Sequence, residues 1–170
     1  MTSNPHNPED ELGHQIAMRL RAAYARLRRQ SNLAFSEFGM TTDQFVLMTV
    51  LYRDGEASQQ ELVQRCFSDT ATIGAMVVLL ESKGLVSRKP HPEDGRAWSV
   101  ELTATGQDLT RQMNDGSSEI RIKLARLFSS QESVMFMEYL ERLSGSIELP
   151  KRKSAIRKLS NKAEPRKIKK

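Results

Sequence analysis

The side chains of this sequence that can do chemistry are cations, amides and hydroxyls spaced for an anion, not nucleophiles set beside bases. Arg96 closes the stretch Pro90-His91-Pro92-Glu93-Asp94-Gly95-Arg96, and Asp94, two residues earlier, is in range to hold its guanidinium. Arg88 and Lys89 immediately precede that stretch; Gln59, Gln60 and Arg65 lie upstream, and all five can donate to phosphate. Thr70 and Thr72 offer hydroxyls, and Ala71 and Ala75 offer methyl groups of the kind that meet a thymine methyl. His6, His14, His91 and Cys66 are scattered and have no metal-ligand spacing. A glycine-rich phosphate loop and a nucleophile–base pair are both missing from the sequence. Catalysis therefore has no support here, and neither a metal nor a cofactor is expected.

The elements that position these residues run from Ser58 to Thr103. Ser58-Gln59-Gln60-Glu61 is a capping box that starts a short helix reaching about Cys66. Asp69 is an N-cap for a second helix, in which Ile73, Met76, Val77 and Leu80 share the inward face and Gly84 supplies the stop. Ala71, Gly74, Ala75, Val78 and Ser82 then point outward. Two helices joined by so short a turn form a helix-turn-helix. Leu85–Lys89 and Ala97–Leu102 read as two strands around a Pro- and Gly-rich loop, with Trp98, Val100 and Leu102 alternating against Ala97, Ser99 and Glu101. The fold class is mainly α with a small β-hairpin wing: a winged helix-turn-helix.

Leu80-Glu81, Gly84-Leu85-Val86, Arg88, Asp94-Gly95-Arg96, Leu102-Thr103 and Gly106 together resemble the central motif of the MarR family of bacterial transcription regulators. That motif reads roughly L-E-x-x-G-L-[VI]-x-R, a wing ending D-x-R, then L-T-x-x-G. The spacing agrees throughout, and the resemblance covers about Leu12 to Leu149. It implies a homodimeric, cytoplasmic, sequence-specific DNA-binding regulator, most simply a repressor, on a pseudo-palindromic operator. It also implies that Arg96 reaches into a minor groove and that Asp94 braces it, which suits a guanidinium in a narrow, negative groove. In the family a small ligand, often an aromatic acid, binds between the dimerising helices and the wing domain and releases DNA. Tyr24, Phe45, Met48 and Met113 are the candidates to line such a pocket, with Arg19 or Arg28 meeting a carboxylate, although Met and aromatics at helical spacing also describe plain core. One departure stands out: family members often carry Ser and Arg where this chain has Gly74 and Ala75. Direct base readout by this helix is therefore expected to be thin.

The flanking elements divide the chain into a polar N-terminus (1–10), an N-terminal dimerisation helix (11–40), the DNA-binding domain (41–103), C-terminal dimerisation helices (104–149) and a basic, disordered tail (150–170). Leu12, Ile16, Leu20, Ala23 and Leu27 mark the first helix, and Gly39 stops it. Thr41 and Gln44 form a capping box for a helix that turns Phe45, Met48, Leu51 and Tyr52 inward and closes at Gly55. Thr103 caps a long helix through Leu109, Met113, Ile120, Leu124 and Leu127 that Gly116 weakens. Ser129 and Glu132 start the last helix, ended by Leu149-Pro150. Three long amphipathic helices exceed what one small domain can cover, which favours a dimer over their folding back on it.

Charge is unevenly placed. Of 26 Lys and Arg, ten fall in residues 151–170 beside the single acid Glu164, which leaves sixteen bases against twenty acids in 1–150. The net charge of +5 is thus a property of the tail, which serves either as a counterion-releasing DNA contact or as a solubilising end. Cys66 is read as a structural cysteine and Trp98 as hairpin packing. The competing function is a winged helix used for protein–protein contact, for which the apolar positions Ala71, Ala75, Val78 and Leu79 are the argument.

Overall fold

Polar residues placed just ahead of apolar runs set the helix starts. The computed structural model describes residues 7–90 and 98–146. Asn7 caps α1 (Pro8–Ser36), and Thr41 caps α2 (Thr42–Asp54) in a reciprocal box with Gln44. Ser58, which ends the two-residue strand β1 (Ala57–Ser58), boxes with Glu61 to open α3 (Gln59–Arg65). Asp69 caps α4 (Thr70–Ser82). The hairpin strands are β2 (Val86–Pro90) and β3 (Trp98–Leu102), and Thr103 caps α5 (Ala104–Gly116). Then come α6 (Ser118–Ala125) and α7 (Ser130–Ser146), the latter opened by the Ser129–Glu132 box.

The chain forms two compact units, Met1–Leu124 and Ala125–Lys170. In the first, three antiparallel strands are ordered β1-β3-β2, with Ala57 opposite Val100 and Val86 opposite Leu102. The core lies between this sheet and α2 to α5. Leu47, Met48, Leu62, Ile73, Leu80, Val100 and Met113 are sealed from solvent there. Phe35 and Met40, at the end of α1, join the same cluster. The helix α5 packs on α2 and places Thr110 and Met113 inside, so it belongs to this core as well as to the segment after the wing. In the second unit, Phe128 and Phe136 stack 5.1 Å apart.

Three expectations change. The long helix after the wing is two helices: α5 ends at Gly116, and Ser117 takes a non-helical cap geometry. Arg121 holds that break by donating to the Asn114 carbonyl and to the Ser117 hydroxyl, each at 2.6 Å. Tyr52 faces outward instead of into the core, because Leu51 takes the inward position at the end of α2. Trp98 is 57 % exposed and Ser99 is buried, so the strict alternation fails at the start of β3. There Ser99 is covered on both sides, paired with Ser58 of β1 and Lys89 of β2. Among the described residues no helix is long and apolar enough to cross a membrane.

Candidate nucleic-acid interface

Asp69 sets the start of α4. Its carboxylate accepts from the amides of Ala71 and Thr72, each at 3.0 Å, and from the Thr72 hydroxyl at 2.9 Å. The first turn of α4 therefore already has its anion. Gln59, at the start of α3, donates its side-chain amide to the Thr70 carbonyl at 3.3 Å. A Cβ on Gly74 would come within 3.1 Å of that amide nitrogen. Gly74, read from sequence as outward, is thus half-buried at the α3–α4 crossing, and its small size lets Gln59 lie across α4. Ile73, Val77 and Leu80 point into the core, and Thr70, Ala71, Thr72, Ala75, Val78 and Leu79 remain exposed.

The cations expected to take phosphate are all paired with acids. Arg88 forks onto Glu81, donating through Nε at 3.1 Å and through a second nitrogen. Lys89 sits between Glu56 at 2.6 Å and Glu101 at 2.9 Å. Arg65 reaches Asp54 and Glu61, each at 3.3 Å. Glu81 is held below the usual carboxylate range by its hydrogen bond from Arg88, and Lys89 is pushed well above the usual ammonium range by its bonds to Glu56 and Glu101. These pairs are half exposed, so a phosphate can compete for each cation, but none stands uncommitted. Gln60 is exposed near the start of α3. Arg96 and Asp94 lie outside the described residues, as do His6, His91 and the basic tail.

The family-like motif is a packing knot. The Thr103 hydroxyl donates to the Gly84 carbonyl at 2.7 Å and accepts from the Gly106 amide at 3.0 Å. The Thr103 amide donates to the Leu85 carbonyl at 3.1 Å. A Cβ on Gly106 would fall 2.0 Å from the Leu85 carbonyl oxygen, which only glycine avoids. Gly84 itself has φ +69°, where a glycine ends α4 without strain. The motif thus ties the end of α4, the base of the wing and the start of α5 together.

A second feature was missed in the sequence. Phe67 has φ +49° and is 82 % exposed. Its amide donates to Gln64 at 3.2 Å and the Ser68 amide donates to Val63 at 3.1 Å, so Phe67 occupies the left-handed position of a Schellman turn. The available signal was a helix end at Cys66 with no glycine after it. Phe67 borders a groove of about 520 Å³ whose walls include Tyr24, Arg28, Asp43, Val46 and Met76. Arg28 and Asp43 pair there at 2.6 Å. Of the residues expected to line a ligand pocket, Tyr24 does face this groove. Met48 and Met113 are core side chains with no exposed surface, and Phe45 packs on Phe35 at 4.4 Å between ring centres. Burial also pushes the Cys66 thiol up, which keeps it protonated at neutral pH.

A family model described as MarR family matches residues 40–98, which hold the helix-turn-helix and the start of the second wing strand. The transcriptional repressor YetL of Bacillus subtilis is 32 % identical over 116 residues, 65 % of this chain and 70 % of that protein. The chain belongs to the MarR family. A second MarR-type relative, the repressor NicR of Pseudomonas putida, is 29 % identical over 148 residues, 87 % of this chain and 91 % of that protein. The structure of Bordetella bronchiseptica BpsR, whose DNA binding is regulated by 6-hydroxynicotinic acid, superposes with a TM-score of 0.69 at 25 % identity. It covers 76 % of this chain and 98 % of that one. As a MarR-family chain, the protein is a helix-turn-helix transcription regulator, with α3 and α4 as the helix-turn-helix and the β2–β3 hairpin as the wing.

Proposed function

We propose that this protein is a homodimeric, cytoplasmic repressor that binds a pseudo-palindromic operator and leaves it when a small aromatic acid binds. The observation that carries the reading is the exposed outer face of α4, held rigid by the Asp69 cap, the Gln59–Thr70 bond and the Arg88–Glu81 fork. A two-fold dimer would set two such helices into successive major grooves about 10 bp apart. The exposed stripe of Leu12, Ile16 and Leu20 on α1 supports a partner for that helix, and α7 carries exposed Val134, Phe136 and Tyr139 of its own. In this reading, as the family motif implies, Arg96 would supply the minor-groove cation and Asp94 would brace it. With Arg65, Arg88 and Lys89 already paired, its share of the affinity is large.

The groove beside Phe67 is the effector site in this reading. An aromatic ring would rest on Tyr24, Val46 and Met76, and its carboxylate would meet Arg28, whose bond to Asp43 leaves other donors available. Met76 belongs to α4, so a ligand there bears directly on the recognition helix.

The test is binding to the DNA upstream of the protein's own gene, at near-physiological salt with excess competitor, for wild type and Arg96→Ala. Tight wild-type binding, weakened by about tenfold or more in the variant and relieved by 6-hydroxynicotinate or a similar acid, is expected. Equal, weak, salt-sensitive binding by both would favour the second reading, a winged helix for protein contact. The specific observation on that side is the exposure of Val78 and Leu79.

A further inference from the structure

We propose that α4 recognises its operator chiefly through thymine methyl groups, using Ala71, Ala75 and Val78, and not through hydrogen bonds to base edges. The inference rests on the regulator reading above and specifies how the recognition helix discriminates. Ala71, Ala75 and Val78 stand at i, i+4 and i+7 and are all exposed, Val78 at 56 %. They form one stripe along the outer face of α4, about 10 Å long at about 1.5 Å per residue. That length spans about three base steps of about 3.4 Å each.

Most of the polar groups on and beside α4 that could read bases are engaged elsewhere. The Thr72 hydroxyl donates to Asp69, and the Gln59 amide donates to the Thr70 carbonyl. The Ser82 hydroxyl donates to the Leu79 carbonyl at 2.8 Å. Arg65 and Arg88 are held by carboxylates. Ala71 and Thr72 lend their amides to the Asp69 carboxylate, so the helix start is closed to a phosphate. Among the described residues of α4, Thr70 is the exposed hydroxyl that can turn to a base or a phosphate.

The chemistry of the major groove then decides the preference. A guanine or cytosine edge pressed against methyl groups loses its hydration and gains no partner, which is unfavourable. A thymine offers a methyl in the same groove, and burying two methyls against each other is favourable. The stripe therefore selects steps that place thymines beneath it.

The experiment starts by selecting an operator from random duplexes with the full-length protein, then replacing single thymines in each half-site by deoxyuridine. That change removes one methyl and leaves every hydrogen-bonding group in place. Expected is a loss of about fourfold in affinity for each thymine under the stripe, and no loss outside it. In Val78→Ala, which shortens the stripe without weakening a helix, the penalty at the thymine beneath position 78 should fall close to onefold while the others persist. Uracil tolerated throughout, with affinity lost instead on 7-deazaguanine substitution, would overturn methyl reading and leave the regulator intact. Failure to enrich any operator would overturn the regulator reading and this inference with it.

Discussion

Arg88 on β2 forks onto Glu81 on α4, with Nε donating to one carboxylate oxygen at 3.1 Å and a terminal nitrogen to the other. The pair fastens the root of the wing to the last turn of α4. Arg88 therefore positions the wing root against α4. Glu81→Gln should lower amide-exchange protection in residues 86–89 of β2 while leaving the core residues of α4 unchanged. The wild type should show the same loosening in acid. The Glu81 carboxyl is held below its ordinary value by Arg88. The contribution of the fork is therefore complete above the unfolded-chain pKa and is lost as pH falls through the lower folded one. Protection in β2 that is identical in wild type and variant would sink the link.

Gly106 should tolerate no side chain. A Cβ there would press on the Leu85 carbonyl at 2.0 Å and the Leu102 side chain at 3.1 Å. The contacts are backbone and strand, which cannot step aside cheaply. Gly106→Ala should cost about 3 kcal/mol, seen as a lower midpoint in chemical denaturation with the slope retained. A midpoint shift equivalent to less than about 1 kcal/mol would show that α5 can slide away from the wing root.

Phe67 should be a residue that costs stability. Its φ of +49° is one that a bulky side chain adopts at a penalty, and its ring is almost wholly in solvent. Phe67→Gly should raise stability by about 1 kcal/mol, or roughly 2–4 °C in melting temperature. The same variant should respond less to an aromatic acid, since the ring edges the groove. A lower melting temperature would mean that the ring packs in a way its exposure does not reveal.

The last twenty residues hold ten Lys and Arg and one acid. Removing 151–170 should flatten the dependence of DNA affinity on salt, because fewer counterions are released, while the preferred operator stays the same. This is read from titrations at several salt concentrations on specific and random duplexes. An unchanged slope would assign the tail to solubility.

Much of this molecule is local and could be read directly. The reciprocal boxes at Thr41–Gln44, Ser58–Glu61 and Ser129–Glu132, the Asp69 and Thr103 caps and the stop at Gly84 depend on groups within a few residues of each other. So does the inward face of α4, which follows from helical spacing alone. Other features depend on distant partners. That Arg88, Lys89 and Arg65 are engaged by acids is decided by Glu81, Glu56, Glu101, Asp54 and Glu61, which folding brings alongside. That Met48 and Met113 are core while Tyr24 borders a groove follows from how α1, α2 and α5 pack, and an apolar residue at helical spacing carries no sign of which it will be. The half-burial of Gly74 under Gln59 likewise arises from the α3–α4 crossing. Periodicity and capping are short-range physics that the chain order states outright, whereas the partner of a charge is chosen by a tertiary geometry that no single stretch contains.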